Sequence, residues 1–142
     1  PCYGNSKNRI QIRYADVLLL HAECLNELGQ TSEAVQIVNN QIRTRAWGGN
    51  LPKDKKWNSG MSKDEFRDKV MDERLRELCF EGWRRIDLLR TNKFVELIKE
   101  RNRWAKESGT IQDFHKRYPI PDTEIKTNDA FGPEDQNPGY SK

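Results

Sequence analysis

The most apolar part of the chain is the segment 12–28, whose apolar side chains surround nearly the whole circumference of a helix. Its narrow polar stripe consists of Asp16, Glu23 and Glu27. A helix that is hydrophobic almost all round belongs at the centre of a fold. Gly29 ends this helix, and Thr31 starts a second amphipathic helix that continues to Ile42. Because the connection is so short, the two helices are expected to pack antiparallel.

The run 71–90 places charges where a helix of its kind should be apolar. Projection at about 100° per residue from Phe66 puts the apolar side chains of this helix on roughly half of its circumference. Four charged residues fall inside the same arc, namely Arg67, Arg74, Glu77 and Glu81. Four others fall on the opposite face, where solvated residues belong. They are Asp72, Lys69, Arg76 and Glu73.

Charges inside the apolar arc would lose water on packing, and an unpaired buried charge costs several kcal/mol. Arg74, Glu77 and Glu81 follow the spacing i, i+3 and i+7, so they can meet one another. We therefore expect a structural ionic network that fixes how two helices meet at Gly82. Its members are Arg74, Glu77, Glu81, Arg84 and Asp87. The alternative is an ordinary helix whose charges are solvated at the surface.

The segment 47–60 combines glycines, prolines and lysines and is predicted to be a loop. Ser62 then precedes an acidic turn in which Glu65 completes a capping box. The third helix should run from there to about Phe80. Two further helices are expected over 83–89 and 92–107. The tryptophans of these helices, Trp83 and Trp104, are expected in the core.

Helical periodicity ends at Thr110. The segment 115–121 contains two prolines and should be extended along the surface, and 132–140 is rich in turn residues. The fold class is therefore mainly α, with one helix pair, further helices and an irregular C-terminal strap. The helix pair resembles a single tetratricopeptide unit.

Composition narrows the classes of function. At 142 residues the chain can form one domain. Its net charge of +3 comes from 25 basic and 22 acidic residues that alternate along the sequence, so no basic stripe for nucleic acid arises. The three cysteines lack the spacing of a zinc site or a disulfide framework. Nothing apolar precedes Cys2, so its reading as a lipidation site fails on this sequence.

The sequence holds no constellation typical of an enzyme or a metal site. The acidic stripe of the first helix could bind calcium or work as an acid/base pair, but solvation or pairing with Arg13, Arg43 or Arg45 is favoured. His21 and Cys24 could ligate a metal, yet further ligands are missing, and a packed, hydrogen-bonded histidine is favoured. We expect no catalysis, no cofactor and no metal.

Trp47 and Trp57 are the candidate ligand-binding residues, because sugar rings stack on flat apolar faces and a polar loop has no obvious need for two indoles. Trp57, flanked by lysines and Asn58, is the better candidate. The alternative is that both rings pack onto the helices, since tryptophan is highly buried on average.

Five blocks of the sequence resemble one known family. The segment 13–27, RYADVLLLHAECLNE, resembles the RYADVLLMYAEALNE signature of the RagB/SusD outer-membrane nutrient-binding lipoproteins. The segment 38–46 is similar to the family's INxVRxRAG, with Trp47 where that glycine usually stands. The pattern ER, EL, FEG, R and DL within 73–88 resembles ERRxELxFEGxRxxDLxR. PIPxxEI at 119–125 and the terminal QNPGY at 136–140 complete the set.

The resemblance implies that residues 1–142 form a single SusD-like C-terminal domain, a fragment of a longer protein. The signal peptide, the lipidated cysteine and most of the glycan-binding surface would lie in the absent N-terminal part. It further implies a lipid-anchored protein on the extracellular face of the outer membrane of Bacteroidetes-type bacteria. Such a protein captures oligosaccharides, or peptides in some members, for a TonB-dependent, SusC-like transporter. A helical-repeat scaffold that binds a peptide or protein is the competing hypothesis, and a carboxylate-based glycosidase is a distant third.

Overall fold

The computed structural model describes residues 11–140, so Cys2 lies outside the described residues. Within 11–140 the chain is mainly α-helical and contains no strand, as the sequence predicts. The chain divides into two compact units between Arg84 and Arg85.

The first unit is built from α1, α2, α3 and α4, with bounds Tyr14–Glu27, Thr31–Ile37, Thr44–Ala46 and Lys63–Glu77. α1 packs against both α2 and α4, which confirms the predicted pairing of the first two helices. Gly29, with φ of 83°, ends the turn between them. The core lies where α1, α2 and α4 meet. Its most deeply buried side chains are Leu19, Ala22, Ala34, Val35, Val38, Ile42, Phe66 and Val70.

The second predicted helix contains a π-helical stretch, Val38–Arg43, between α2 and α3. The hydroxyl of Thr44 donates a 2.8 Å hydrogen bond to the carbonyl oxygen of Asn39, five residues earlier. π-helical turns are rare and often occur at functional positions. Here the wider turn leaves Asn39 buried and holds Arg43 beside the following loop.

α4 starts as predicted, because the Ser62 hydroxyl accepts a 3.1 Å hydrogen bond from the backbone N–H of Glu65. It ends at Glu77, three residues before the predicted limit at Phe80. Phe80 has φ of 63° and Gly82 has φ of 86°, so the chain leaves the helix through two left-handed residues. The loop before α4 contains one short 3₁₀ turn, Lys53–Lys55.

Two charges of α4 lie opposite to their predicted faces. Glu73, assigned to the solvated face, is buried. It is only about 20° from Phe66 in projection, and Arg43 covers it. Arg67, assigned to the apolar arc, is exposed because the first turns of α4 lie beside the end of α1, where its guanidinium reaches Glu27.

The second unit contains the 3₁₀ turns Asp113–Lys116 and Pro133–Asp135 and four helices. The helices are α5, α6, α7 and α8, with bounds Trp83–Arg90 (its first two residues belong to the first unit), Phe94–Arg101, Arg103–Ser108 and Asp122–Thr127. The helix predicted over 92–107 is broken at Asn102, whose side-chain oxygen caps α7 by accepting from Ala105 N–H at 3.1 Å. Trp104 is consequently 76% exposed, so its placement in the core was wrong.

The C-terminal strap is irregular apart from α8 and its two 3₁₀ turns. The segment 117–121 is non-helical, as its prolines require, whereas 115–116 belongs to the first 3₁₀ turn. The last residues hold 117–121 through its backbone carbonyls. Asn137 Nδ2 donates to Tyr118 O at 2.7 Å, and the Tyr140 hydroxyl donates to Arg117 O at 2.6 Å.

Candidate functional site

Arg74 lies in the interior of the first unit, and carboxylates of α1 balance its charge. Its Nη1 is 2.7 Å from Asp16 Oδ1, and these two side chains are only 2% and 4% exposed. Glu23 Oε1 lies 3.8 Å from Arg74 Nε. Asp16 belongs to the acidic stripe of α1, for which solvation or pairing with Arg13, Arg43 or Arg45 was expected. It is instead buried and paired with Arg74. Its partner and that of Glu23 come from α4, because α4 crosses α1 along this stripe.

Arg13, just before α1, joins the end of α4 to the loop that follows. Its Nη1 donates to Glu77 Oε1 at 2.9 Å, and its Nε donates to the Glu81 carboxylate at 2.9 Å. These bonds, led by the one to Glu81, raise the pKa of the Arg13 guanidinium above its ordinary value. Arg45 also pairs with Glu77, so one carboxylate receives two guanidinium groups.

A third ion pair joins α4 to the π-helical turn. Arg43 Nη1 lies 2.7 Å from Glu73 Oε2, and Arg76 lies 3.4 Å from the same oxygen. Arg43 also donates from Nη2 to the carbonyl oxygen of Lys55 at 2.8 Å. The arginine therefore connects a buried carboxylate to the loop before α4.

The remaining residues of the expected network lie in different surroundings. Arg84 Nη1 donates to the backbone oxygen of Met71 at 3.0 Å, within the first unit. Asp87 is buried in the second unit, and its Oδ1 lies 2.8 Å from Arg90 Nη2 on the same helix. The spacing in the sequence identified charges that have structural partners. The partners of Arg74, Glu77 and Glu81, however, come from α1, from Arg13 just before it and from Arg45 of α3.

These carboxylates are already bound by guanidinium groups. The ion pairs join α4 to the region of α1, to the π-helical turn and to α3, so they stabilise the packing of these elements. Within residues 11–140, no group of three or more His, Cys, Asp or Glu side chains is placed to hold a metal ion. No helix of that same range is both long and apolar enough to cross a membrane.

Trp57 is held against the core by its backbone and its ring. The side-chain amide of Asn39 donates to Trp57 O and accepts from Trp57 N–H, both at 2.9 Å. The indole meets Phe66 edge to face, with centroids 5.8 Å apart. Arg43 and Lys69 lie 5.4 and 6.0 Å from its ring centroid. Trp57 is thus half-buried, and three residues lie against its ring.

Trp47 stands in a different environment, at the end of α3. Its backbone N–H bonds to Arg43 O at 3.0 Å, while its side chain is 48% exposed. Gly48 and Gly49 follow with φ of 65° and 93°, so the chain turns away immediately after the indole. About half of Trp47 is therefore open to solvent beside a tight turn.

A groove of about 460 Å³ lies between α1 and the second helical region of the first unit. Its lining residues are Arg13, Tyr14, Ala15, Leu18, Gln41, Ile42 and Arg45. The exposed Tyr14 ring and the amide of Gln41 could contact a polar ligand. Tyr14 was not among the ligand-binding residues predicted from the sequence. Its position at the start of α1 was the one signal that could have pointed to an exposed ring.

His21 is exposed on α1, so the prediction that it packs in the interior was wrong. Cys24 is exposed as well, and so is Cys79 after α4. His21 and Cys24 are exposed for the same reason, because the face of α1 turned away from α2 and α4 is open.

Comparisons with known proteins give one consistent result. The model of the SusD family matches residues 2–140. The chain is similar to three proteins of Formosa agariphila. SusD-like protein P25 is 34% identical over 142 residues, which cover 99% of this chain and 26% of that protein. SusD-like protein P2 is 36% identical over 140 residues, which cover 96% of this chain and 26% of that protein.

SusD-like protein P38 is 45% identical over 95 residues, covering 64% of this chain and 18% of that protein. The chain thus spans about a quarter or less of the length of these curated relatives. No solved structure shows a significant match to it.

Proposed function

The chain belongs to the SusD family, and from this premise we propose that it is part of a cell-surface protein that captures oligosaccharides for import. The observation that carries the proposal is the family match over residues 2–140. SusD-like proteins are a family of glycan-binding proteins that serve nutrient uptake. The role of this chain is binding and not catalysis.

Membership of the family also suggests a partner and a location for the protein. The partner is a TonB-dependent, SusC-like outer-membrane transporter, and the protein lies on the extracellular face of the outer membrane. A lipid anchor outside the described residues attaches it. Residues 1–142 form one C-terminal domain of a longer polypeptide, in keeping with their coverage of 26% of SusD-like protein P25.

Within this chain, the geometry favours Trp47 over Trp57 as the glycan contact. Sugar stacking needs a free aromatic face, and the Trp57 ring is already occupied by Phe66, Arg43 and Lys69. Trp47 keeps an exposed indole. The ionic residues Arg74, Glu77 and Glu81 support the scaffold behind this surface.

Affinity electrophoresis of the complete gene product tests the proposal. Migration through gels that contain different polysaccharides is compared with migration through a plain gel. We expect retardation by at least one glycan. Failure of every glycan, together with retention on an immobilised peptide library, would support the competing function of a peptide-binding helical scaffold. Release of labelled reducing ends during incubation would contradict a purely binding role.

A further inference from the structure

Three of the four residues 53–56 are lysines, and all three side chains are exposed. The backbone forms the short 3₁₀ turn Lys53–Lys55, and Lys56 follows it directly. A 3₁₀ helix has three residues per turn, so side chains at i and i+3 lie on the same side. Lys53 and Lys56 are therefore neighbours. We call the residues Lys53, Lys55 and Lys56 the lysine turn.

The charge of the lysine turn is only partly balanced within the first unit. Lys55 Nζ lies 3.1 Å from Asp54 Oδ2, and Asp54 is the one acidic residue of the segment 50–61. Lys53 and Lys56 form no ion pair within residues 11–84. Like charges one turn apart repel each other, and lysine is almost never buried unless it is paired. These ammonium groups therefore need water or an anion beside them, whatever other segments of the protein lie nearby.

The backbone of the lysine turn is fixed from the interior of the first unit. Arg43 Nη2 donates to Lys55 O at 2.8 Å, and the side-chain amide of Asn39 bonds both backbone groups of Trp57. Leu51, just before the turn, is buried. A loop that served only solubility would gain nothing from such contacts, whereas a binding loop gains when it is ordered before the ligand arrives. Arg43 and Asn39 thus preorganise the lysine turn.

The exposure and the charge of the lysine turn indicate the chemistry of its ligand. Ammonium groups bind anions as compact point charges. Exposed ion pairs each contribute little, so a single small anion would be held weakly, whereas a polymer that repeats its charge engages several lysines at once. Trp47, the candidate sugar contact, begins the same loop six residues before Lys53. Six residues span at most about 20 Å, so one polysaccharide chain can reach both.

We propose that the lysine turn binds the carboxylate or sulfate groups of an anionic polysaccharide. This inference rests on the proposed capture of glycans and narrows the ligand to a charged class. It also gives the lysines beside Trp57 a function separate from that of the indole, which packs on Phe66.

Affinity electrophoresis of the complete gene product tests the charge class of the glycan. Polygalacturonate carries carboxylates, dextran sulfate carries sulfates, and dextran is the neutral reference. We expect retardation by at least one of the two charged polymers, and we expect it to weaken as NaCl is added. Retardation by neutral polysaccharides alone overturns the charged class and leaves glycan capture standing. The absence of retardation by any polysaccharide overturns both.

Substitutions in the lysine turn locate the binding. The variant with Lys53→Gln, Lys55→Gln and Lys56→Gln should bind the retarding polymer at least about fivefold more weakly. Its fold should persist, because Arg43 bonds the backbone oxygen of residue 55 and not its side chain. Arginine at the same three positions keeps the charge and should retain binding. Unchanged binding by the glutamine variant, or an equal loss in the arginine variant, overturns the proposal.

A matched control separates the lysine turn from the net charge of the protein. Lys99→Gln, Lys106→Gln and Lys126→Gln remove the same charge from three exposed positions of the second unit. This control should stay within about twofold of the wild-type affinity. Equal weakening of the control and the lysine-turn variant overturns the proposal. A short DNA duplex that binds as tightly as the charged polysaccharide assigns the lysine turn to nucleic acid and overturns it as well.

Discussion

The side-chain amide of Gln136 bonds both backbone polar groups of Ile120. Its Oε1 accepts from Ile120 N–H at 2.8 Å, and its Nε2 donates to Ile120 O at 2.9 Å. In the other unit, the side-chain amide of Asn39 bonds both backbone polar groups of Trp57 in the same way. In each case an amide takes the place of a neighbouring strand and satisfies the backbone of an irregular segment.

Replacing Gln136 by alanine should reduce the free energy of unfolding by about 1–3 kcal/mol, because both backbone groups of Ile120 lose their partner. Deleting 136–140 should lower Tm further, since the bonds from Asn137 and Tyr140 disappear too. Thermal unfolding followed by circular dichroism measures both effects. Glu134→Ala, at an exposed site nearby in sequence, is the control. An unchanged melt after the deletion would show that the strap is not structural.

Removing Arg74 should be the most damaging change to the ionic contacts. Arg74→Met leaves Asp16 buried without its guanidinium, and breaking a buried pair in this way costs about 3–5 kcal/mol. The double variant Arg74→Met with Asp16→Asn should recover part of that loss, because the buried charge of Asp16 is removed together with its partner. Urea denaturation of the single and double variants forms the test. A loss from the single variant below about 1 kcal/mol, the scale of exposed pairs, would contradict a buried role.

Glu77 and Glu81 should differ although both bind Arg13. The Glu77 side chain is 9% exposed and that of Glu81 is 32% exposed. Glu77→Ala leaves two guanidinium groups short of a partner, so we expect a loss of several kcal/mol. Glu81→Ala should cost about 1 kcal/mol or less, because water screens the site. Equal losses in urea denaturation would rule out burial as the deciding factor.

Glu27 should make stability depend on acid pH. Hydrogen bonds from Arg67 and then Lys63 lower the pKa of this carboxyl from 4.5 to about 2. A carboxyl with a lowered folded-state pKa contributes stability above pH 4.5 and loses it as the pH falls towards 2. The stability difference between the wild-type protein and Glu27→Gln should therefore shrink over this interval. Chemical denaturation at stepped pH measures it, and a constant difference down to pH 2 would contradict the pairing.

Trp47→Ala should abolish most retardation by a glycan that binds near this surface, because stacking on an exposed ring is lost. Trp104→Ala removes an indole that is still more exposed, in the second unit, and should leave retardation unchanged. Trp57→Ala should lower Tm instead, because that ring packs on Phe66. Equal loss of binding in the Trp47 and Trp104 variants would point to a non-specific effect.

The sequence predicted those elements that depend on local signals. Ser62 caps α4, Gly29 ends the turn after α1, and Gly82 precedes α5, because caps and left-handed turns need particular residues. α8 was missed, since a six-residue helix shows too little periodicity to recognise. The π-helical turn leaves no periodic signature of its own in so short a segment.

The partners of the buried charges were not predictable from one helix. Periodicity placed Arg74 and Glu77 on an inner face, but it could not name Asp16 or Arg45, which come from other parts of the chain. Glu73 lay at the edge of the projected arc, so its burial depended on the position of Arg43. Trp47 and Trp57 likewise look alike in sequence, and only the position of Phe66 distinguishes them.

The two ion pairs of Arg13 restrict where the chain can gain or lose residues. Arg13 bonds Glu77 at the last turn of α4 and Glu81 four residues later. Because one guanidinium binds both carboxylates, the length of chain between them is constrained. An inserted residue between these positions would turn Glu81 by about 100° if the helix continued, or displace it by one residue of chain if it did not. Natural insertions and deletions should therefore be excluded from 77–81.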